Sequence, residues 1–242
     1  MLNGTKKTTL LVGNGEIGKS LKKVLEEKYK RIFIKDIEDI ELQNVEILHI
    51  CFPYYKKFVK ECLRLIKKYK PELVIIHSSV PIGTTRKVGD IAVNSPIRGV
   101  HPNLIQGIKT FTKYFGGVSV GNVKRAAKIF SDVGIETREV YNPEETEAGK
   151  LLSTTYYSWC IMFEKWVKEF CEKKHLNFDI VYNHFNTTYN IGYAELNSLN
   201  FIRPIMKHME GKIGGHCQIS NAKLLKKDFK PAKIILKKNK KL

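Results

Sequence analysis

The stretch Gly13-Asn14-Gly15-Glu16-Ile17-Gly18-Lys19-Ser20 constrains this chain more than any other, because the apolar run Thr9-Leu10-Leu11-Val12 enters it and a helical pattern through about Lys28 leaves it. A strand, a glycine-rich turn and a helix in that order aim free backbone N–H groups and the positive end of a helix dipole at one point, where a phosphate is stabilised. Two patterns share these residues. Gly13, Gly15 and Gly18 form the G-x-G-x-x-G of a dinucleotide-binding turn, with Asn14, Glu16 and Ile17 completing the loop; Gly13, Gly18, Lys19 and Ser20 also fit G-x-x-x-x-G-K-[ST], the loop that cradles the phosphates of ATP or GTP. The context separates them. The strand Arg31-Ile32-Phe33-Ile34-Lys35 ends at Asp36, where a dinucleotide fold needs a carboxylate for the ribose hydroxyls. A nucleotide hydrolase needs a magnesium-binding Asp closing a later apolar strand, yet the next two runs end in Cys51-Phe52-Pro53 and His77-Ser78. The dinucleotide is favoured, and Lys19 and Ser20 read as first-turn helix residues.

From Thr8 to Tyr141, short apolar runs alternate with helical patterns. Strands are predicted near 8–13, 31–35, 45–52, 72–77, 91–95, 116–120 and 135–140, and helices near 17–28, 54–70 and 122–132. Such alternation predicts an α/β fold, a Rossmann-type doubly wound and mainly parallel sheet with helices on both faces. The pattern changes at Asn142-Pro143-Glu144-Glu145, where Asn142 suits an N-cap, Pro143 the first helical position and Glu145 a capping-box carboxylate. A long helix follows to about Lys174. Its Leu152, Tyr156, Trp159, Phe163, Trp166, Val167 and Phe170 recur at three- and four-residue steps and predict a wide buried stripe. The expected organisation is a dinucleotide-binding domain over 1–141, a smaller all-helical substrate and dimerisation domain over 142–230, and a disordered basic tail over 231–242.

Composition narrows the function classes. At 242 residues and 43% hydrophobic, the chain can bury a substantial core. It has neither an apolar run near the ~20 residues that span a bilayer nor an N-terminal leader pattern, so a cytoplasmic protein without membrane association is expected. Five cysteines, an odd number without small-domain spacing, read as thiols. The net charge of +18 is spread over pairs such as Lys22-Lys23, Lys56-Lys57 and Lys67-Lys68, so solvated helix faces account for it and no nucleic-acid partner is expected. A positive field would instead attract a phosphorylated, nucleotide-linked or carboxylated small substrate, for which Arg98, Arg203, Lys207 and Lys212 are candidate contacts. Cys171 and His175, one helical turn apart with no third ligand, read as a helix face, and no metal is expected.

These motifs resemble, in order along the chain, the superfamily that contains nucleotide-sugar dehydrogenases of the UDP-glucose and GDP-mannose type, 6-phosphogluconate, 3-hydroxyacid and prephenate dehydrogenases. Gly13 through Gly18 and then Asp36 look like its glycine turn and ribose-binding acid. His49-Ile50-Cys51-Phe52-Pro53 resembles its third strand, and His77-Ser78-Ser79-Val80-Pro81-Ile82-Gly83-Thr84-Thr85 the strand and turn beside the nicotinamide. Asn94-Ser95-Pro96, Glu147-Ala148-Gly149-Lys150 and Gly214-Gly215-His216-Cys217 follow in family order. The resemblance implies NAD as cofactor, bound by Gly13–Gly18, Asp36, Cys51, Phe52, Pro53, Ser78 and Ser79. It also implies a short form without the C-terminal nucleotide-sugar-binding domain.

The same resemblance supplies candidate catalytic residues. Lys150 would exchange a proton with the reacting oxygen or stabilise its charge, with Glu147 and Thr154 on the same helical face; in a chain this rich in lysine it also reads as a surface residue. Cys217 would be a covalent nucleophile trapping an aldehyde, with His216 tuning the thiol, although a lone cysteine is more often a small apolar side chain. Gly99-Val100-His101-Pro102-Asn103 resembles the His-Pro turn of prephenate dehydrogenases, which would make His101 the base and Ser79 its orienting group; His101 capping a turn fits the residues equally. Family carboxylates are replaced by Ile97 and Asn221, and a family Asn by Thr154. That puts a four-electron oxidation in doubt and leaves open a two-electron enzyme or a non-catalytic NAD-binding paralogue. The apolar stripe with its two tryptophans predicts a homodimer.

Overall fold

The computed structural model describes residues 8–99, 102–215 and 217–240. The chain divides into two compact units, 1–150 and 151–242. Among the described residues the first unit is built on a seven-stranded sheet, β1 (Thr8–Val12), β2 (Ile32–Lys35), β3 (Val45–Ile50), β4 (Leu73–Ile76), β5 (Ala92–Asn94), β6 (Lys113–Gly117) and β7 (Thr137–Val140), in the order β2-β1-β3-β4-β5-β6-β7. All pairings are parallel except β5 with β6. Between the strands lie α1 (Glu16–Glu26), α2 (Phe58–Tyr69), α3 (Thr84–Val88), α4 (Leu104–Thr110) and α5 (Val120–Ser131).

Both faces of the sheet are covered, which explains why β1 and β4 are apolar without alternation. Leu11, Ile47, Ile75 and Val93 pack on one face with Leu21 of α1 and Phe130 of α5; Leu10, Leu48, Ile50 and Ile76 pack on the other with Phe58, Cys62 and Leu65 of α2. Each fully buried side chain of this kind contributes about 1.5–3 kcal/mol. After β2 the chain crosses to the far side of β1 to form β3, so the sheet reverses direction between β1 and β3. The carboxyl ends of strands at such a switch open a crevice for ligands.

Helix α6 (Pro143–Lys174) begins in the first unit and continues in the second. Asn142 starts it as expected: its side-chain oxygen accepts from the Glu144 N–H at 3.3 Å, while Glu145 accepts from the Asn142 side-chain amide at 3.4 Å instead of from the backbone. The second unit continues with a π-helical turn (Asp179–His184), α7 (Phe185–Glu195), a short 3-10 turn (Leu199–Phe201), α8 (Gln218–Leu225) and α9 (Lys230–Asn239). No helix among the described residues is long and apolar enough to cross a membrane.

Four features differ from the sequence reading. Strand β6 begins at Lys113, three residues before the predicted 116–120, because Ser119 caps α5 and takes Val120 into the helix. The short helices α3 and α4 were not predicted. The stripe on α6 is only partly buried: Trp159 and Trp166 pack half-buried against Met162, Ile213 and Ile235, whereas Tyr156 is 62% and Phe163 53% exposed, and Leu152 and Phe170 are exposed as well. The fully buried residues of α6 are others, Leu151, Met162 and Cys171 among them. Finally, residues 230–239 form a helix in place of a disordered tail, because Ala232, Ile235 and Asn239 bury one face, Pro231 sits at its start, and Lys238 pairs with Glu169 at 2.7 Å.

Candidate active site

The three loop glycines do different work. Gly13 has φ +110°, and a Cβ there would lie 2.8 Å from the Phe52 nitrogen and 2.9 Å from the Cys51 carbonyl carbon. A Cβ on Gly18 would lie 1.9 Å from the Gly13 oxygen. Both are demanded by the protein's own packing. Gly15 is not: nothing lies within 4 Å of the Cβ it lacks, and as the residue capping α1 it offers the first-turn N–H groups no side chain. An open glycine between two packed ones, at the amino end of a helix, suits the close approach of a pyrophosphate to backbone. Lys19 is exposed and Ser20 is buried. Asp36 is exposed at the carboxyl end of β2, next to Lys35, whose carbonyl accepts from the Gly13 N–H at 2.9 Å.

The loops after β3 and β4 are tied together beside this turn. The Cys51 N–H donates to Val12 at 2.8 Å and the His77 N–H to Ile50 at 2.9 Å, so the ladder runs to the ends of these strands. The Ser78 hydroxyl donates to the Phe52 carbonyl at 2.6 Å, which gives it a structural bond within the loop pair. Ser79 is half-buried, Phe52 half-buried and Pro53 exposed. Cys51 is buried, and burial pushes its thiol up to about 12, so it is an uncharged wall and no nucleophile.

Behind these loops lies a buried polar row that the sequence reading missed. The Ser95 carbonyl, which can only accept, lies 3.0 Å from both Lys113 Nζ and His77 Nδ1. That assigns the proton of His77 to Nδ1 and leaves Nε2 to accept from His49 Nδ1 at 2.8 Å. His49 Nε2 is buried without a partner. Burial, aided by the Lys113 charge, pushes His49 down to about 3 and His77 well below its usual range, so both imidazoles are neutral. Lys113 itself is pushed down to about 7 by burial, with the Lys150 charge acting in the same direction. The available signal was a polar residue inside each of two apolar runs, His49 in β3 and His77 after β4.

The first turns of α6 are fastened to this edge of the sheet. The buried Glu147 carboxylate accepts from the N–H of Gly83 at 2.5 Å and from the N–H and hydroxyl of Thr85, each at 2.7 Å. It therefore caps α3. Burial raises its pKa despite these donors. Thr146 donates to Asn94 Oδ1 at 2.8 Å, and Arg86 pairs with Glu144 at 2.7 Å. Lys150, half-buried, follows Glu147 by one turn. The other candidates belong to the second unit. Thr154 is half-buried on α6, and Cys217 is half-buried at the start of α8. Asn221 is 3% exposed, one turn after Cys217, its side-chain nitrogen buried without a partner. His101 and His216 lie outside the described residues. A second contact also went unread: buried Glu164 meets Nδ1 of half-buried His208 at 2.5 Å and Lys165 donates to the Met209 carbonyl, which holds the loop after the 3-10 turn.

No protein-family model matches the sequence, and no curated protein matches it. Solved structures do. The chain is similar to a UDP-D-ManNAc dehydrogenase from Pyrococcus horikoshii, with 17% identity and a TM-score of 0.78, over 97% of this chain and 68% of that one. It is similar to a UDP-glucose dehydrogenase from Pyrobaculum islandicum, with 11% identity and a TM-score of 0.74, over 100% of this chain and 70% of that one. The 3-hydroxyisobutyrate dehydrogenase of Mycobacterium tuberculosis matches with 13% identity and a TM-score of 0.71, over 97% of this chain and 93% of that one. The chain has the fold of nucleotide-sugar and hydroxyacid dehydrogenases.

Proposed function

We propose that this chain is an NAD-dependent oxidoreductase acting on a CH–OH group of a small polar substrate that carries a phosphate, a nucleotide or a carboxylate. The observation that carries the proposal is the glycine triad, two members packed by backbone and Gly15 left open at the amino end of α1. Gly13–Gly18 would hold the pyrophosphate by backbone N–H groups, Asp36 the ribose hydroxyls, and the loops at Cys51-Phe52-Pro53 and Ser78-Ser79 the nicotinamide end. When bound, NAD supplies the hydride acceptor. Lys150 takes the hydroxyl proton or stabilises the negative oxygen as the hydride leaves carbon. Asp36 selects NAD over its 2′-phosphorylated form by like-charge repulsion.

Where the family carries carboxylates this chain has Ile97, buried in the core, and Asn221, buried in α8. Neither can activate water, and this favours a two-electron oxidation with His101 as a further base. A four-electron course through a Cys217 thiohemiacetal is the second reading, motivated by Gly214-Gly215-His216-Cys217. Turnover on a nucleotide-sugar and hydroxyacid panel separates them: Cys217→Ala is silent and His101→Asn damaging in the first case, and the reverse holds in the second. Lys150→Ala should cut kcat by about 10²-fold or more with NAD affinity retained; unchanged kcat would remove Lys150 from the chemistry. A second copy of the chain is the proposed partner, through the exposed stripe of α6.

A further inference from the structure

Eight lysines near the end of the chain converge on one open groove, and their number is out of proportion to the acids that answer them. From Lys212 to the end, the sequence holds ten lysines, no arginine and a single acid, Asp228. Helices α8 and α9 fold this segment so that eight of those lysines line a groove of about 1460 Å³, with Ile219, Ile234 and Leu236 in its walls. Elsewhere lysines face carboxylates, as in Lys22 with Glu26 at 3.2 Å, Lys109 with Glu27 at 2.6 Å and Lys168 with Glu172 at 3.2 Å. On α9 itself Lys238 turns to Glu169. Among the described residues, none of the eight groove lysines has a carboxylate within ion-pair distance.

A concave surface lined by eight lysines and one acid, Asp228, focuses a positive field and repels itself until a polyanion enters. Lysine ammonium groups are compact point charges without the rigid planar fork of arginine, and they suit phosphate contacts made without regard to sequence. Among the described residues no aromatic side chain lines the groove, so it offers no stacking platform for single-stranded bases. Its apolar members are half-buried and do not project as bilayer-inserting residues would. We propose that the groove between α8 and α9 binds the phosphate backbone of double-stranded nucleic acid, independently of the dinucleotide turn. The sequence reading set nucleic acid aside because the lysines read as solvated helix faces; the gathering of eight of them on one groove is what that reading did not anticipate.

The test is fluorescence anisotropy of a labelled duplex of about 20 base pairs with the full chain, across about 50–200 mM salt. The plot of log K against log salt should fall with a slope steeper than about −4, as expected for five or more neutralised phosphates. Replacing Lys226, Lys230 and Lys233 together by Gln should weaken binding at least about tenfold at about 100 mM salt and flatten the slope by about 3. The matched triple Lys30→Gln, Lys67→Gln and Lys70→Gln, on exposed positions of the first unit, should stay within about twofold of wild type. Equal losses in the two triples would reduce the effect to net charge and overturn the proposal. So would tighter binding to a single strand than to the duplex, or binding to vesicles rich in anionic lipid with none to the duplex.

Discussion

At the scale of single residues, Gly13 and Gly15 should part company under mutation. Gly13→Ala places a Cβ against backbone at a positive φ and should lower stability by about 1–3 kcal/mol, read by chemical denaturation. A Cβ on Gly15 has nothing within 4 Å, so Gly15→Val should cost only the about 1 kcal/mol of a poorer N-cap while NAD affinity falls at least about tenfold. A Gly15→Val protein that binds NAD normally would remove the pyrophosphate from this turn. Lys113 gives a pH test. Its folded pKa of about 7 lies below the ordinary 10.5, so between those values the unfolded chain holds a proton that the folded chain has released. Stability therefore rises with pH across that window and sits at its lower level below it. Wild type should gain as much as about 2 kcal/mol between about pH 7 and pH 9, and Lys113→Met should lose that gain; equal slopes would show that Lys113 does not titrate there. The glycines and Asp36 were legible because backbone geometry leaves few alternatives in such a turn. His49, His77 and Lys113 were not, since a polar residue in an apolar run carries no mark of which buried partner satisfies it.

At the scale of elements, Glu147 joins α6 to α3. Glu147→Ala leaves the Gly83 and Thr85 donors without their acceptor and should cost about 1–3 kcal/mol, whereas Glu145→Ala, on the exposed side of the same turn, should cost under about 0.5 kcal/mol. Denaturation midpoints that fall equally would contradict the capping role. The parallel strands were readable from continuous apolar runs, and α6 from its capping residues. Helix α3, Thr84-Thr85-Arg86-Lys87-Val88, has no apolar period to announce it and is held from outside by Glu147. Strand β6 was misplaced because Lys113 at its start looks like surface, yet it is buried.

At the scale of the whole molecule, the second unit leaves many large apolar side chains exposed, the kind of surface that marks a contact with another chain. Helix α7 buries none of its residues, and Tyr156, Phe163, Phe185 and Leu196 stand exposed. The periodicity of α6 was legible in the sequence, but what covers it was not, because a repeat of apolar residues does not say whether its cover lies in the same chain. Light scattering should give a dimer at micromolar concentration, and Tyr156→Glu with Phe163→Glu should give a monomer that keeps its NAD affinity; a wild-type monomer would remove the partner. The central claim concerns the turn at Gly13–Gly18, and calorimetric titration with NAD, NADP and Mg-ATP in parallel tests it most directly. The account predicts saturable binding of NAD, weaker binding of NADP and none of Mg-ATP. Binding of Mg-ATP alone would contradict it and assign the turn to a nucleotide phosphate loop.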